Sequence, residues 1–133
     1  MTTKTKEQNM EILLKIKRDQ FSEMARNGNR EGTRLLAYMF MYGLGGTQST
    51  LISRCYLSKL MATVDIYNMA KYSEVDHNIN TPNSYKKSHI DRKIVQSYAY
   101  MIVNGIGGPV DEAYGLMLHD HLDRVDQMGK YSI

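Results

Sequence analysis

The chain has 133 residues, with 17 Lys and Arg against 14 Asp and Glu and a net charge of +3. That length suits one domain, which buries about two thirds of the surface its unfolded chain exposes, and ten Met and ten Tyr with no Trp and two Phe imply an interior of thioethers and phenols. A single cysteine excludes an internal disulfide, the charged first segment is unlike a secretory signal, and no apolar run approaches the roughly 20 residues of a membrane span, so the expectation is a soluble cytoplasmic protein without a membrane partner.

The segment KEQNMEILLKIKRDQFSEMARNGN puts Met10, Leu13, Leu14, Phe21 and Met24 near one face and ends at Gly28, a residue suited to a left-handed cap. It predicts a helix at about 6–26 with that stripe turned inward. From Thr33, TRLLAYMFMYGL is apolar nearly all round apart from Arg34 and the tyrosine hydroxyls, the pattern of a short helix enclosed by its neighbours. After Gly46, Leu51, Ile52, Cys55, Tyr56, Leu60, Val64 and Tyr67 recur at helical spacing, which predicts the longest helix of the chain and makes Cys55 a small core residue. These two helices form a first hairpin at about 33–72. EVDHNINTPNSYKKS has no period, contains Pro82 and is rich in Asn and Ser, so it predicts an exposed loop at about 74–88.

A second hairpin follows at about 89–128. Its first helix turns Ile90, Ile94, Val95, Tyr98, Met101 and Ile102 inward; its second turns Val110, Tyr114, Met117, Leu118, Leu122 and Val125 inward. AYMFMYGLGG at 37–46 returns as AYMIVNGIGG at 99–108, and the apolar pattern survives the same offset of 62 into the following helices. The expected fold is therefore all-α: one domain over 1–133, a compact bundle of about five helices with two pseudo-repeated helix–glycine–helix hairpins and one extra helix ahead of them.

The repeated glycines do not form a phosphate loop. GLGGTQST lacks the lysine and the preceding strand that a P-loop needs, and its second copy places Asp111 and Glu112 where they would repel an anion. Gly43 and Gly105 instead suit helix termination, with Thr47 to cap the next helix in one copy and Pro109 to begin it in the other. A helix-turn-helix is a second possibility, offering Gln48, Ser49, Thr50 and Arg54 to a groove while Lys15 and Arg18 hold phosphates. Met39 and Ser49 oppose it, because the motif needs a small residue at the first position and a buried aliphatic at the second.

His119, Asp120, His121 and Asp123 crowd one helix, yet His119 and His121 lie about 200° apart and cannot grip one ion. No metal site, cofactor or catalytic residue is expected, since neither a nucleophile–base order nor a paired-carboxylate spacing is present and Cys55 points away from Arg54. Charge is uneven: residues 1–30 carry seven basic and four acidic side chains, and residues 109–133 carry two and five. The expected function is a small non-enzymatic regulatory or inhibitory protein that binds a larger macromolecular machine by protein–protein contact, of the accessory kind that phages encode. Its expected contacts are Tyr85, Lys86 and Lys87 in the loop, with Tyr or Met side chains left exposed on the first hairpin. The alternative is a nucleic-acid-binding transcriptional regulator using the first hairpin; either reading admits a homodimer.

Overall fold

A computed structural model describes residues 5–66 and 82–131, with burial assigned over 5–66 and 89–124. These residues form five helices and no strand: α1 Lys6–Arg26, α2 Arg30–Tyr42, α3 Thr50–Met61, α4 Pro82–Asn104 and α5 Glu112–Tyr131. The chain is a compact all-α bundle, as its periodicity predicts. The helix ends follow from local chemistry. Thr5 and Gln8 close a capping box on α1, with Gln8 N–H donating to Thr5 Oγ1 at 3.2 Å and Thr5 N–H donating to Gln8 Oε1 at 2.9 Å. Asn29 caps α2 by accepting from Gly32 N–H at 2.7 Å, and Ser49 caps α3 by accepting from Ile52 N–H at 3.1 Å.

α4 is the shared wall of the core. Its Ile94 and Met101 pack with Ala37 of α2 and Leu57 and Leu60 of α3, while its Val95, Ala99 and Ile102 pack with Leu118 and Leu122 of α5. Fully burying each such side chain stabilises by about 1.5–3 kcal/mol, so one helix anchors both layers. A buried ion pair ties α2 to α4: Arg30 donates to the carboxylate of Asp91, which has no exposed surface, and to Thr63 Oγ1 at 3.0 Å. Ser53 of α3, also without exposed surface, donates its hydroxyl to the carbonyl of Ala37 at 2.7 Å.

The two glycine corners share their backbone hydrogen bonds and their arginine contacts, while the bond from Gln48 to Met41 O belongs to the first alone. Gly43 and Gly105 end their helices at φ +66° and +65°, and Gly45 and Gly107 turn the chain at +72° and +75°. Ser49 N–H donates to Phe40 O at 2.8 Å in the first corner, and Asp111 N–H donates to Ile102 O at 2.7 Å in the second. Each corner sits on an earlier helix. A Cβ on Gly45 would lie 2.4 Å from the carbonyl oxygen of Leu14 in α1, and one on Gly107 would lie 2.2 Å from that of Thr50 in α3. Four residues beyond each contact stands an arginine that clasps the corner. Arg18 donates to Leu44 O at 3.1 Å and Thr47 O at 2.8 Å, with its guanidinium 3.9 Å from the centre of the Phe40 ring. Arg54 donates to Ile106 O at 3.3 Å and Pro109 O at 2.6 Å.

Several expectations are corrected. α3 stops at Met61 instead of running to about 70: Thr63 Oγ1 donates to Leu60 O at 2.6 Å, and the N–H groups of Thr63 and Val64 reach back only three residues. That hydroxyl competes with the next helical bond; residues 67–72 of the expected hairpin lie outside the described residues. The expected loop at 74–88 is helical from Pro82, because proline's fixed φ and missing N–H suit a first helical position; residues 74–81 lie outside the described residues. The buried face of α3 is Ser53, Leu57 and Leu60, which leaves Leu51, Ile52 and Cys55 exposed. Ser49 rather than Thr47 caps α3, and Asp111, whose Oδ1 accepts from Tyr114 N–H at 3.2 Å, rather than Pro109 starts α5. Thr47 and Pro109 instead give their carbonyls to the two arginines.

α1 departs furthest from its expected burial, since none of its residues is buried. It runs roughly 31 Å against roughly 20 Å for α2, and on the N-terminal side of Leu14, where the corner rests, its residues from Lys6 to Leu13 are all exposed. Phe21 and Met24 are half-buried, whereas Met10 and Leu13 face outward. Val110, Tyr114 and Met117 at the start of α5 are likewise exposed rather than inward. The side chain of Val125 lies outside the described residues.

Candidate functional site

Three tyrosines define the most distinctive surface. Tyr38 and Tyr42 stand one turn apart on α2 and Tyr100 stands on α4, each 54% exposed although α2 and α4 are the most enclosed helices. The reason is angular: Leu36 and Met39 of α2 and Met101 and Ile102 of α4 take the core-facing positions, and the tyrosines project from the opposite arc. Tyr38 and Tyr42 lean together with ring centroids 4.8 Å apart and planes inclined by 57°. Such a pair holds both rings in place before any partner arrives.

Between these helices runs an open groove of about 310 Å³. Tyr38, Met41 and Tyr42 form one wall and Gln96, Ser97 and Tyr100 the other, with His119 of α5 at one end. No Lys, Arg, Asp or Glu lines it. The groove therefore offers ring faces and a thioether, rimmed by hydroxyl, amide and imidazole groups. That composition binds apolar side chains and satisfies a few polar atoms.

The residues singled out for nucleic acid are placed otherwise. Arg18 and Arg54 spend their guanidinium groups on backbone carbonyls of the two corners. Gln48 donates to Met41 O at 2.8 Å, Ser49 caps α3, and the Thr50 carbonyl carries the second glycine corner. The second hairpin thus engages the Thr50 carbonyl and the Arg54 side chain, while Leu51 and Ile52 between them stay exposed. Lys15 stays exposed beside Glu11 at a cavity of about 390 Å³ under the first corner, and that carboxylate opposes an anion there. Tyr85, Lys86 and Lys87 belong to the first turns of α4 rather than to a loop; their side chains lie outside the described residues.

Among the described residues no three His, Cys, Asp or Glu side chains gather as for a metal. His119 turns to the groove, while Nε2 of His121 lies 2.6 Å from the carbonyl of Ile66 and so carries a proton toward it. No described helix is long and apolar enough to cross a membrane. Glu31, at the start of α2, is held below its ordinary value of 4.5 mainly by the hydrogen bond from Arg34, against the upward pull of partial burial. Sequence reasoning expected exposed Tyr or Met side chains on the first hairpin without naming them, and it missed Tyr100 of the second. Its signal was present: Tyr100 recurs 62 positions after Tyr38 inside the repeated AYM, between the same two core neighbours, Ala37 and Met39 in one copy and Ala99 and Met101 in the other.

Comparison with family models, with curated proteins and with solved structures finds no match to this chain. The functional reading rests on its own surfaces.

Proposed function

We propose that this protein is a small non-enzymatic regulator or inhibitor that acts by binding a protein component of a larger macromolecular machine, with the tyrosine groove as its contact surface. The observation that carries the reading is the trio Tyr38, Tyr42 and Tyr100, half out in solvent around an uncharged groove. Tyrosine brings large rigid area for two side-chain torsions, and aromatic residues dominate the energetics of protein interfaces. The partner segment that fits is uncharged and apolar, such as one turn of a helix presenting Leu, Met or Phe, flanked by groups able to hydrogen-bond phenol hydroxyls. A cytoplasmic, phage-accessory setting belongs to the same reading. The nucleic-acid alternative loses Arg18 and Arg54 to the corners and is retained only as a rival outcome.

The test is capture from a lysate of the native host with two baits, the wild-type chain and a Tyr38→Ala/Tyr100→Ala variant of matching circular dichroism. The expected result is a protein retained by the first and lost by the second, with purified components showing about a 30- to 1,000-fold loss of affinity, since two such anchors contribute on the order of 1–2 kcal/mol each. Equal capture by both baits overturns the proposal. So does binding to generic duplex DNA that falls steeply with salt and survives the double substitution.

A further inference from the structure

The helices pack in chain order, α1 on α2, α2 on α3, α3 on α4 and α4 on α5, with a small direct contact between α2 and α4. Among the described residues α1 and α5 do not touch, so each end of the row has a side on which no other described helix packs. The two free sides are apolar and opposite in charge. Over Lys6–Lys17, at about 100° per residue, Met10, Ile12, Leu13 and Ile16 spread over one side of α1; Lys6 and Lys17 fall within that sector, and Glu7 and Glu11 fall outside it. All four apolar residues are exposed, Leu13 at 47% and Ile16 at 49%.

On α5, Leu118, Leu122 and Gly115 face the bundle, and Ala113, Leu116, Met117, Asp120 and Arg124 share the opposite side. Leu116 and Met117 are each 52% exposed. Arg124 is already paired with Asp120 at 2.8 Å, and Glu112 and Asp123 border the strip, which leaves it acidic. Counting on by 62 from α3, the position of Arg54 is Leu116. Where α3 carries an arginine to clasp a glycine corner, α5 carries an exposed leucine, so this side is not built for one more hairpin. It matches a helix with apolar and basic residues in one stripe, and α1 has that stripe.

We infer that copies of this chain associate head to tail, the outer side of α1 in one copy lying against the outer side of α5 in the next. Leu13 and Ile16 then bury against Leu116 and Met117, while Lys6 and Lys17 meet Glu112 and Asp123. The contact joins two different surfaces, so every pair keeps one free α1 and one free α5, and growth continues to a ring or an open row. The surface involved is separate from the tyrosine groove, and the inference does not rest on the proposed function.

Two variants test it by sedimentation velocity. Leu13→Lys/Ile16→Lys blocks the head and Leu116→Asp/Met117→Asp blocks the tail; all four sites are exposed, and circular dichroism checks the fold. Wild type is expected to gain mass with concentration beyond a dimer, and each variant alone to remain at the 15.3 kDa of one chain. An equimolar mixture of the variants is expected to form a dimer and stop there, because only one head and one tail remain. Raising salt from about 0.05 to about 0.5 M is expected to weaken wild-type association, as screening of the matched charges requires. A wild type that stays monomeric, a tail-blocked variant that still pairs, or a mixture that forms no dimer overturns the inference; the second would indicate α1 pairing with α1.

Discussion

Gly107→Ala separates the cost of backbone conformation from the cost of lost packing when it is paired with Gly28→Ala. Both glycines have positive φ, +75° and +80°, so both substitutions carry the conformational penalty of a Cβ there, about 1–2 kcal/mol. A Cβ at Gly28 meets nothing within 4 Å. At Gly107 it would lie 2.2 Å from the Thr50 carbonyl oxygen and 2.8 Å from its carbon, more than half an ångström inside ordinary contact in both cases. The second corner must therefore retreat from α3, stretching both hydrogen bonds from Arg54, each with a net contribution of about 1 kcal/mol. The expected loss is about 3–4 kcal/mol for Gly107→Ala against about 1–2 for Gly28→Ala. In urea, where the slope is about 1–3 kcal/mol per M, the midpoints should differ by about 1 M at unchanged slope. Equal midpoints would refute the docked corner.

Other expected outcomes follow from the same contacts. Arg18→Lys and Arg54→Lys should each lower stability by about 1–3 kcal/mol, since an ammonium cannot span two carbonyls as the planar fork does; urea midpoints equal to wild type would count against the clasp. Arg30→Met should cost about 3–5 kcal/mol by stranding the buried Asp91 carboxylate, and Arg30→Met/Asp91→Leu should recover most of it; a double variant no better than the single one would show that the pair is not acting as a unit. Glu31 has a folded-state pKa below 4.5, so its stabilising contribution is present above the unfolded value and is lost as pH falls through the lower folded one. A profile of urea midpoint against pH should thus drop less for Glu31→Gln than for wild type in that acidic window, and parallel profiles would contradict the Arg34 hydrogen bond.

How far the sequence reveals this molecule depends on whether a feature is local or shared between distant segments. The bounds of α1 are legible because Thr5, Gln8 and the Asn27–Gly28 turn act within a few residues of themselves, and the core face of α4 is legible because Ile94, Val95, Met101 and Ile102 keep strict helical spacing. The end of α3 is hidden by a competing signal, as the apolar period runs on through Val64 while the Thr63 hydroxyl stops the helix. Ser53 takes the core place expected of Cys55 for a tertiary reason: close contact with α2 favours a small residue whose hydroxyl can bond the Ala37 carbonyl. The arginines are the clearest case. In the chain Arg18 reads as a cation for a phosphate and Arg54 as a donor for a groove, and only the return of a glycine corner from 26 or 52 residues away gives them carbonyl partners.

The central claim is that both glycine corners are locked structures, seated on α1 and α3, which leaves the tyrosine groove and the two end helices as the available surfaces. Native-state hydrogen exchange at the amides of Leu44, Ser49, Ile106 and Asp111 tests it most directly, because these groups donate across the corners to Met39, Phe40, Met101 and Ile102. The account predicts that all four exchange slowly, in two matched pairs, with opening free energies near those of the core amides of α2 and α4. Exchange of either pair at the rate of an open loop would contradict it.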